Sequence, residues 1–109
     1  MEPLEETAAV EALDVYWRPG CGFCTRLFGV LRAEGVAVRM FNIWEDPAAR
    51  EFVRRHNWGD ETVPTVTLAG VVHTNPEPAA LMTEIRRGYP ELLGTPETGW
   101  NPFPRVSGR

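Results

Sequence analysis

A chain of 109 residues with 43% hydrophobic content and a net charge of -4 has material for one modest core and one site upon it. Its 11 basic residues, every one an arginine, are dispersed among 15 acidic ones, which excludes the basic stripe of a nucleic-acid binder. No apolar run approaches the ~18 residues of a membrane span, and the acidic start Met1-Glu2-Pro3-Leu4-Glu5-Glu6 lacks the apolar segment of a leader, so no membrane partner and a cytoplasmic address are expected.

Residues 1–11 read as an extension ahead of the first strand. Leu13-Asp14-Val15-Tyr16-Trp17 alternates and is rich in β-formers, and Arg18-Pro19-Gly20 stops it. Cys21 and Cys24 follow at a strand-to-helix junction. From Phe23 the apolar positions Leu27, Val30 and Leu31 recur at helical spacing to about Glu34, where Gly35 can cap the helix. A second strand is expected over Val36 to Ile43, then Asp46 as N-cap with Pro47 behind it, and a helix through Ala49, Phe52, Val53 and His56 that Asn57-Trp58-Gly59-Asp60 ends. Val63 to Leu68 and Val71 to Thr74 read as an antiparallel hairpin turned by Ala69-Gly70. Asn75-Pro76-Glu77-Pro78 opens a last helix, with Leu81, Met82 and Ile85 on its apolar face, ending near Gly88. The order is β-α-β-α-β-β-α over residues 12–88, without internal repeats, and the proline- and glycine-rich residues 89–109 are expected to form a mobile tail, with Trp100 and Phe103 folding back over the sheet or docking a partner as the alternatives.

Two cysteines are too few for a secreted disulfide scaffold; three positions apart, they fit a chemically active pair in a reducing compartment. A thiol is a poor nucleophile at neutral pH because its reference pKa is ~8.5, but free amides and the positive dipole end of a helix stabilise a thiolate. Cys21 holds that position and is the expected nucleophile. Cys24, one turn further in, can reach it to close a disulfide and is the expected resolving thiol, more buried and less reactive. Arg18 can favour negative charge at Cys21 or on a substrate, though a solvated surface arginine is the plainer reading. Gly22 leaves its backbone N–H free beside the sulfur. Thr62-Val63-Pro64 places a proline at the mouth of a strand, where it is either an ordinary edge-strand proline or part of a tight turn that sets the Val63 backbone against an extended substrate. Trp17, Trp44 and Trp58 flank this region, for packing or for stacking. A zinc site from Cys21, Cys24, His56 and His73 is disfavoured, because the histidines are 17 residues apart, so no metal is expected.

Cys-Gly-Phe-Cys after the first strand and Thr-Val-Pro before the third, in this element order, resemble the glutaredoxin branch of the thioredoxin fold. The runs Tyr16-Trp17-Arg18-Pro19-Gly20-Cys21, Asn42-Ile43-Trp44-Glu45-Asp46-Pro47 and Glu61-Thr62-Val63-Pro64-Thr65-Val66 are similar to actinobacterial mycoredoxin-like proteins. The resemblance implies an α/β thioredoxin-like fold, a four-stranded mixed sheet with three helices on its two faces, and a cis bond before Pro64. It also implies a substrate site of Arg18, Phe23, Thr62, Val63, Pro64 and Asn75 around Cys21. The implied reaction is reduction of mixed disulfides between proteins and a low-molecular-weight thiol. The resemblance further implies no bound cofactor, with mycothiol, or glutathione, as the co-substrate. Where glutathione-using relatives carry an acidic residue for the glutamyl ammonium, this chain reads Thr74-Asn75-Pro76, which suits mycothiol, a sugar-linked thiol without that ammonium; Asn75 is alternatively the helix N-cap. Implied partners are thiolated or oxidised client proteins and a NADPH-dependent flavoprotein reductase, with the protein a monomer. Two other readings stay open: a thioredoxin-like disulfide reductase or ribonucleotide reductase electron donor that needs both cysteines, and a 2Fe-2S cluster carrier, since Cys-Gly-Phe-Cys also resembles the Cys-Gly-Phe-Ser motif of cluster-binding glutaredoxins.

Overall fold

The alternation in the first strand decides the architecture. In the computed structural model, which describes residues 10–94, Leu13 and Val15 of β1 (Leu13–Trp17) are fully buried on one face while Asp14 and Tyr16 point to the other. The remaining elements are α1 (Gly22–Ala33), β2 (Val38–Asn42), α2 (Pro47–His56), β3 (Thr65–Leu68), β4 (Val71–Thr74) and α3 (Pro78–Gly88). The sheet runs β2-β1-β3-β4, with β1 parallel to β2 and antiparallel to β3, and β3 antiparallel to β4. A parallel neighbour requires a crossover, and α1 supplies it. This is the expected mixed sheet.

On the first face Leu13, Val15, Val38, Met40, Val66 and Leu68 meet Leu27 and Leu31 of α1 and Leu81, Met82 and Ile85 of α3. Each such side chain, fully buried, contributes roughly 1.5–3 kcal/mol. On the second face α2 lays Ala49 and Val53 against Ile43, with Tyr16 stacked between Phe41 and Phe52 at 4.9 and 4.7 Å. Both cysteines and Val63 belong to this second cluster. Helix α2 starts as expected, Asp46 accepting from the Ala48 and Ala49 amides at 3.1 and 3.2 Å with Pro47 behind it.

Several boundaries differ from the expectation. Strand β2 begins at Val38 rather than Val36, because the Val36 amide bonds Leu31 O at 3.0 Å and the Ala37 amide bonds Leu92 O at 2.9 Å. Strand β3 begins at Thr65, after the cis Val63–Pro64 bond. Asn75 is not the N-cap of α3. It stands outside the helix at φ 46°, and Glu77 caps instead, accepting from Ala79 and Ala80 at 3.0 and 3.2 Å. Pro78 alone, not Pro76, takes the first helical turn.

The tail was expected from residue 89 without regular structure, yet Pro90–Leu92 forms a 3₁₀ turn with Leu92 buried beneath the sheet edge. Composition favoured a loop, but an apolar side chain that reaches the core and a carbonyl that satisfies Ala37 outweigh it. At the other end Val10 packs against the core from within the expected extension. Residues 1–9 and 95–109, with Trp100 and Phe103, lie outside the described residues. Among the described residues no helix is long and apolar enough to cross a membrane.

Candidate active site

Strand β1 delivers the chain to the edge of the second cluster, and the turn Arg18-Pro19-Gly20 sends it back as α1. Gly20 takes φ 74°, a left-handed conformation that a side chain disfavours. Cys21 is thereby the N-cap of α1, and its sulfur accepts the Cys24 N–H at 3.2 Å. An amide aimed at sulfur, at the positive end of a helix, stabilises negative charge there. Cys21 is 7% exposed and Cys24 1%, so the first sulfur meets solvent and the second is sealed beneath it. Both are free thiols. Burial first, and then the neighbouring Cys21 sulfur, push the Cys24 thiol up to about 12, although the Arg18 backbone amide and guanidinium pull the other way. Cys24 is a neutral thiol at physiological pH.

Opposite α1 stands the Thr62-Val63-Pro64 segment. The Cys21 thiol donates to Val63 O across 3.8 Å. On either side of Val63 the carbonyls are held: Thr62 O accepts the Thr65 hydroxyl at 2.8 Å, and Pro64 O accepts the Asn75 amide at 2.7 Å. The Val63 amide makes no backbone hydrogen bond among the described residues. A main-chain N–H left open beside a sulfur, with a C=O engaged only by that sulfur's thiol, is what an extended substrate needs for strand-like pairing.

The expected site residues therefore fall into distinct groups. Cys21, Cys24 and Val63 converge; Thr62 and Pro64 flank Val63 and accept hydrogen bonds through their carbonyls; Asn75 reaches Pro64 through its amide, at a positive φ, rather than through its side chain. Phe23 is exposed in the first turn of α1, between the cysteines. Arg18 is folded back, its Nη1 donating to Pro19 O at 3.0 Å and its guanidinium 5.7 Å from the ring centre of exposed Trp44. Trp17 is half-buried, edge-on to Phe28 at 5.7 Å, whereas Trp58 is 96% exposed in the turn after α2. His56 lies against Phe52, and among the described residues no three His, Cys, Asp or Glu side chains gather as for a metal ion.

Asn57 does more than end α2, the one role its sequence position predicts. It is buried and hydrogen-bonded to Val53 O, Thr65 and Thr74. Nothing in its local sequence separates this role from that of an ordinary C-terminal asparagine.

A helix-capping cysteine, a second thiol one turn below and a cis-proline segment opposite define a thiol-disulfide oxidoreductase on a thioredoxin-like fold. The thioredoxin-like protein BC3987, as a single-residue mutant, is similar at a TM-score of 0.60 and 26% identity, covering 68% of this chain and 94% of that one. Glutaredoxins of Brucella melitensis and Archaeoglobus fulgidus share the fold at TM-scores of 0.56, with 22% and 21% identity, covering 72% and 79% of this chain and 85% and 97% of theirs. The glutaredoxin family model matches residues 13–73. A Mycobacterium tuberculosis protein that carries the name glutaredoxin, in two strains, is 44% identical over 66 residues, which is 60% of this chain and 79% of that protein. The chain belongs to the glutaredoxin family.

Proposed function

We propose that the protein reduces mixed disulfides between client proteins and mycothiol. The observation that carries this reading is the Cys21 sulfur, held at a helix N-terminus by an amide at 3.2 Å and facing the open Val63 backbone at 3.8 Å. The Cys21 thiolate attacks the mycothiol sulfur of the mixed disulfide. The new bond joins Cys21 to that sulfur, the old S–S bond breaks, and the client leaves as a thiolate that takes a proton from solvent. A second mycothiol thiolate then attacks the mycothiol sulfur of the adduct, freeing Cys21 and giving the symmetric disulfide, which a NADPH-dependent flavoprotein reductase returns to two thiols.

The Cys24 thiol, pushed up to about 12, supports this external route over attack by Cys24 from within. The acidic group nearest the start of α3 is Glu77, which spends Oε1 on its own helix cap and has Oε2 3.6 Å from Arg26. A carboxylate so engaged is a poor receptor for the ammonium of glutathione, and this supports the sugar-linked thiol. Val63 pairs with the cysteinyl backbone of the thiol, Thr62, Pro64 and Asn75 hold Val63 in place, Phe23 covers the reacting sulfurs, and Arg18 supplies positive charge beside them. The setting is the cytoplasm and the working unit the monomer.

The likeness to the thioredoxin-like protein BC3987 favours a second reading, a dithiol reductase fed by thioredoxin reductase. Initial rates of NADPH oxidation separate the two, measured with mycothiol and its reductase, glutathione and its reductase, or thioredoxin reductase alone. Turnover with mycothiol only is the expected result. Turnover with thioredoxin reductase alone refutes it and makes Cys24 obligatory.

A further inference from the structure

The reaction leaves one buried polar cluster unused, centred on Asn57 at the C-terminal end of α2. Asn57 is 7% exposed. Its Nδ2 donates to Val53 O at 2.8 Å, closing the last turn of α2, and to Thr65 Oγ1 at 3.4 Å. Its Oδ1 accepts from Thr74 Oγ1 at 2.8 Å. A side-chain amide is the one uncharged group of this size that both donates twice and accepts, so a single residue ties α2 to β3 and β4.

Both partners lead to the substrate segment. Thr65 is fully buried, and its hydroxyl, while accepting from Asn57, donates to Thr62 O at 2.8 Å. Thr74 immediately precedes Asn75, whose amide holds Pro64 O at 2.7 Å. The carbonyls before and after Val63 are thus tied to Asn57 by two paths, one of hydrogen bonds through Thr65 and one through the Thr74 hydroxyl and the adjoining Asn75 amide. Neither path touches the Cys21 sulfur, which is held by the Cys24 amide from α1.

We infer that Asn57 is a positioning residue, which sets the Val63 backbone at the distance and angle required to capture an amide-bearing thiol without changing the reactivity of Cys21. The inference rests on the reading of Val63 as the residue that pairs with the substrate backbone. Misplacing a receptor group by a fraction of an ångström weakens pairing, and a sulfur that needs no pairing is indifferent to it.

The test uses two symmetric disulfides. N-acetylcysteine amide disulfide offers an amide on each side of the α-carbon, and hydroxyethyl disulfide offers none. With the reduced full-length protein, release of the first thiol equivalent is followed in stopped flow as a function of disulfide concentration. For Asn57→Ala and for Thr65→Val the half-saturating concentration of the amide disulfide is expected to rise about tenfold, with the limiting rate changed less than about twofold. Hydroxyethyl disulfide kinetics stay at the wild-type level, and Thr65→Ser, which keeps the hydroxyl, behaves as wild type. Should Asn57→Ala fail to fold, Thr65→Val, which preserves volume in the core, decides alone. Unmoved half-saturation for the amide disulfide, or equal losses for both disulfides, overturns the inference. If the wild type itself does not favour the amide disulfide over hydroxyethyl disulfide, the pairing role of Val63 fails, and the inference with it.

Discussion

The state of Cys24 is open to direct chemical measurement. Its thiol is pushed up to about 12, chiefly by burial. Since only the thiolate alkylates, its reactive fraction near pH 7.5 falls by about a thousandfold relative to an unburied thiol. A pulse of iodoacetamide on the reduced, folded protein, quenched at intervals and mapped by peptide mass, should therefore label Cys21 while Cys24 lags far behind. In a Cys21→Ser variant the second cause of the shift, the neighbouring sulfur, is gone, but burial remains. Cys24 in that variant should still alkylate at least about a hundredfold more slowly folded than in denaturant.

The pH dependence carries a sign that can be checked. The Cys24 rate should climb about tenfold per pH unit through pH 9 with no plateau there, as a folded-state value near 12 requires. Because the folded value lies above the unfolded one, the fold favours the neutral thiol. Stability from this group is intact below about pH 9 and is lost as pH rises toward 12. Tyr16, raised from 10.0 to about 12 mainly by burial, acts in the same direction over the upper part of that window. Comparable labelling of the two cysteines in the folded protein, or a Cys24 rate that levels off near pH 9, would refute the assignment of Cys24 as a suppressed thiol.

Three further outcomes are expected. Cys24→Ser should keep turnover of mycothiol mixed disulfides within a few-fold of wild type while Cys21→Ser abolishes it, in the coupled NADPH assay. Trp58→Gly should stabilise the protein: at φ 55° and 96% exposed the tryptophan bears a left-handed penalty of roughly 1–2 kcal/mol, of which the added freedom of glycine in the unfolded chain returns roughly 0.5–1, so urea melts should shift up by about 0.5–1 kcal/mol. Glu77→Ala should cost about 1 kcal/mol by freeing the Ala79 and Ala80 amides at the start of α3, lowering the melting temperature by roughly 4–8 °C.

What could be read from the sequence was whatever is local along the chain. The N-terminus of α1, with Cys21 as cap, follows from Arg18-Pro19-Gly20 and the periodicity of Leu27 and Leu31; Asp46-Pro47 announces α2 without any help from the rest of the fold. Competition between neighbouring signals was harder to judge. Asn75 and Glu77 are both plausible caps, and the choice falls to Glu77 because the Asn75 amide is drawn to Pro64 across the sheet end. Leu92 sits in a segment whose composition reads as a loop, and only the amide of Ala37, 55 residues earlier in the chain and bonded to Leu92 O, reveals why it is buried.

The same division runs through the site and bears on how it works. The sulfur side is built within one turn of one helix, Cys21 to Cys24, so a short motif specifies it completely. The receptor side is assembled from Asn57, the Thr62–Thr65 segment and the Thr74-Asn75 corner, contributed by α2, β3 and β4, and no short motif can specify that convergence. The two sides meet over a 3.8 Å contact between Cys21 Sγ and Val63 O, too long to hold them together by itself. Their spacing must therefore be set by the packing of α1 and α2 in the shared cluster of Cys24, Ile43, Val53 and Val63. It follows that substitutions of Ile43 or Val53 should alter substrate capture even though they leave the Cys21 sulfur and its amide donor untouched, whereas changes at Cys21 itself should alter the chemical step.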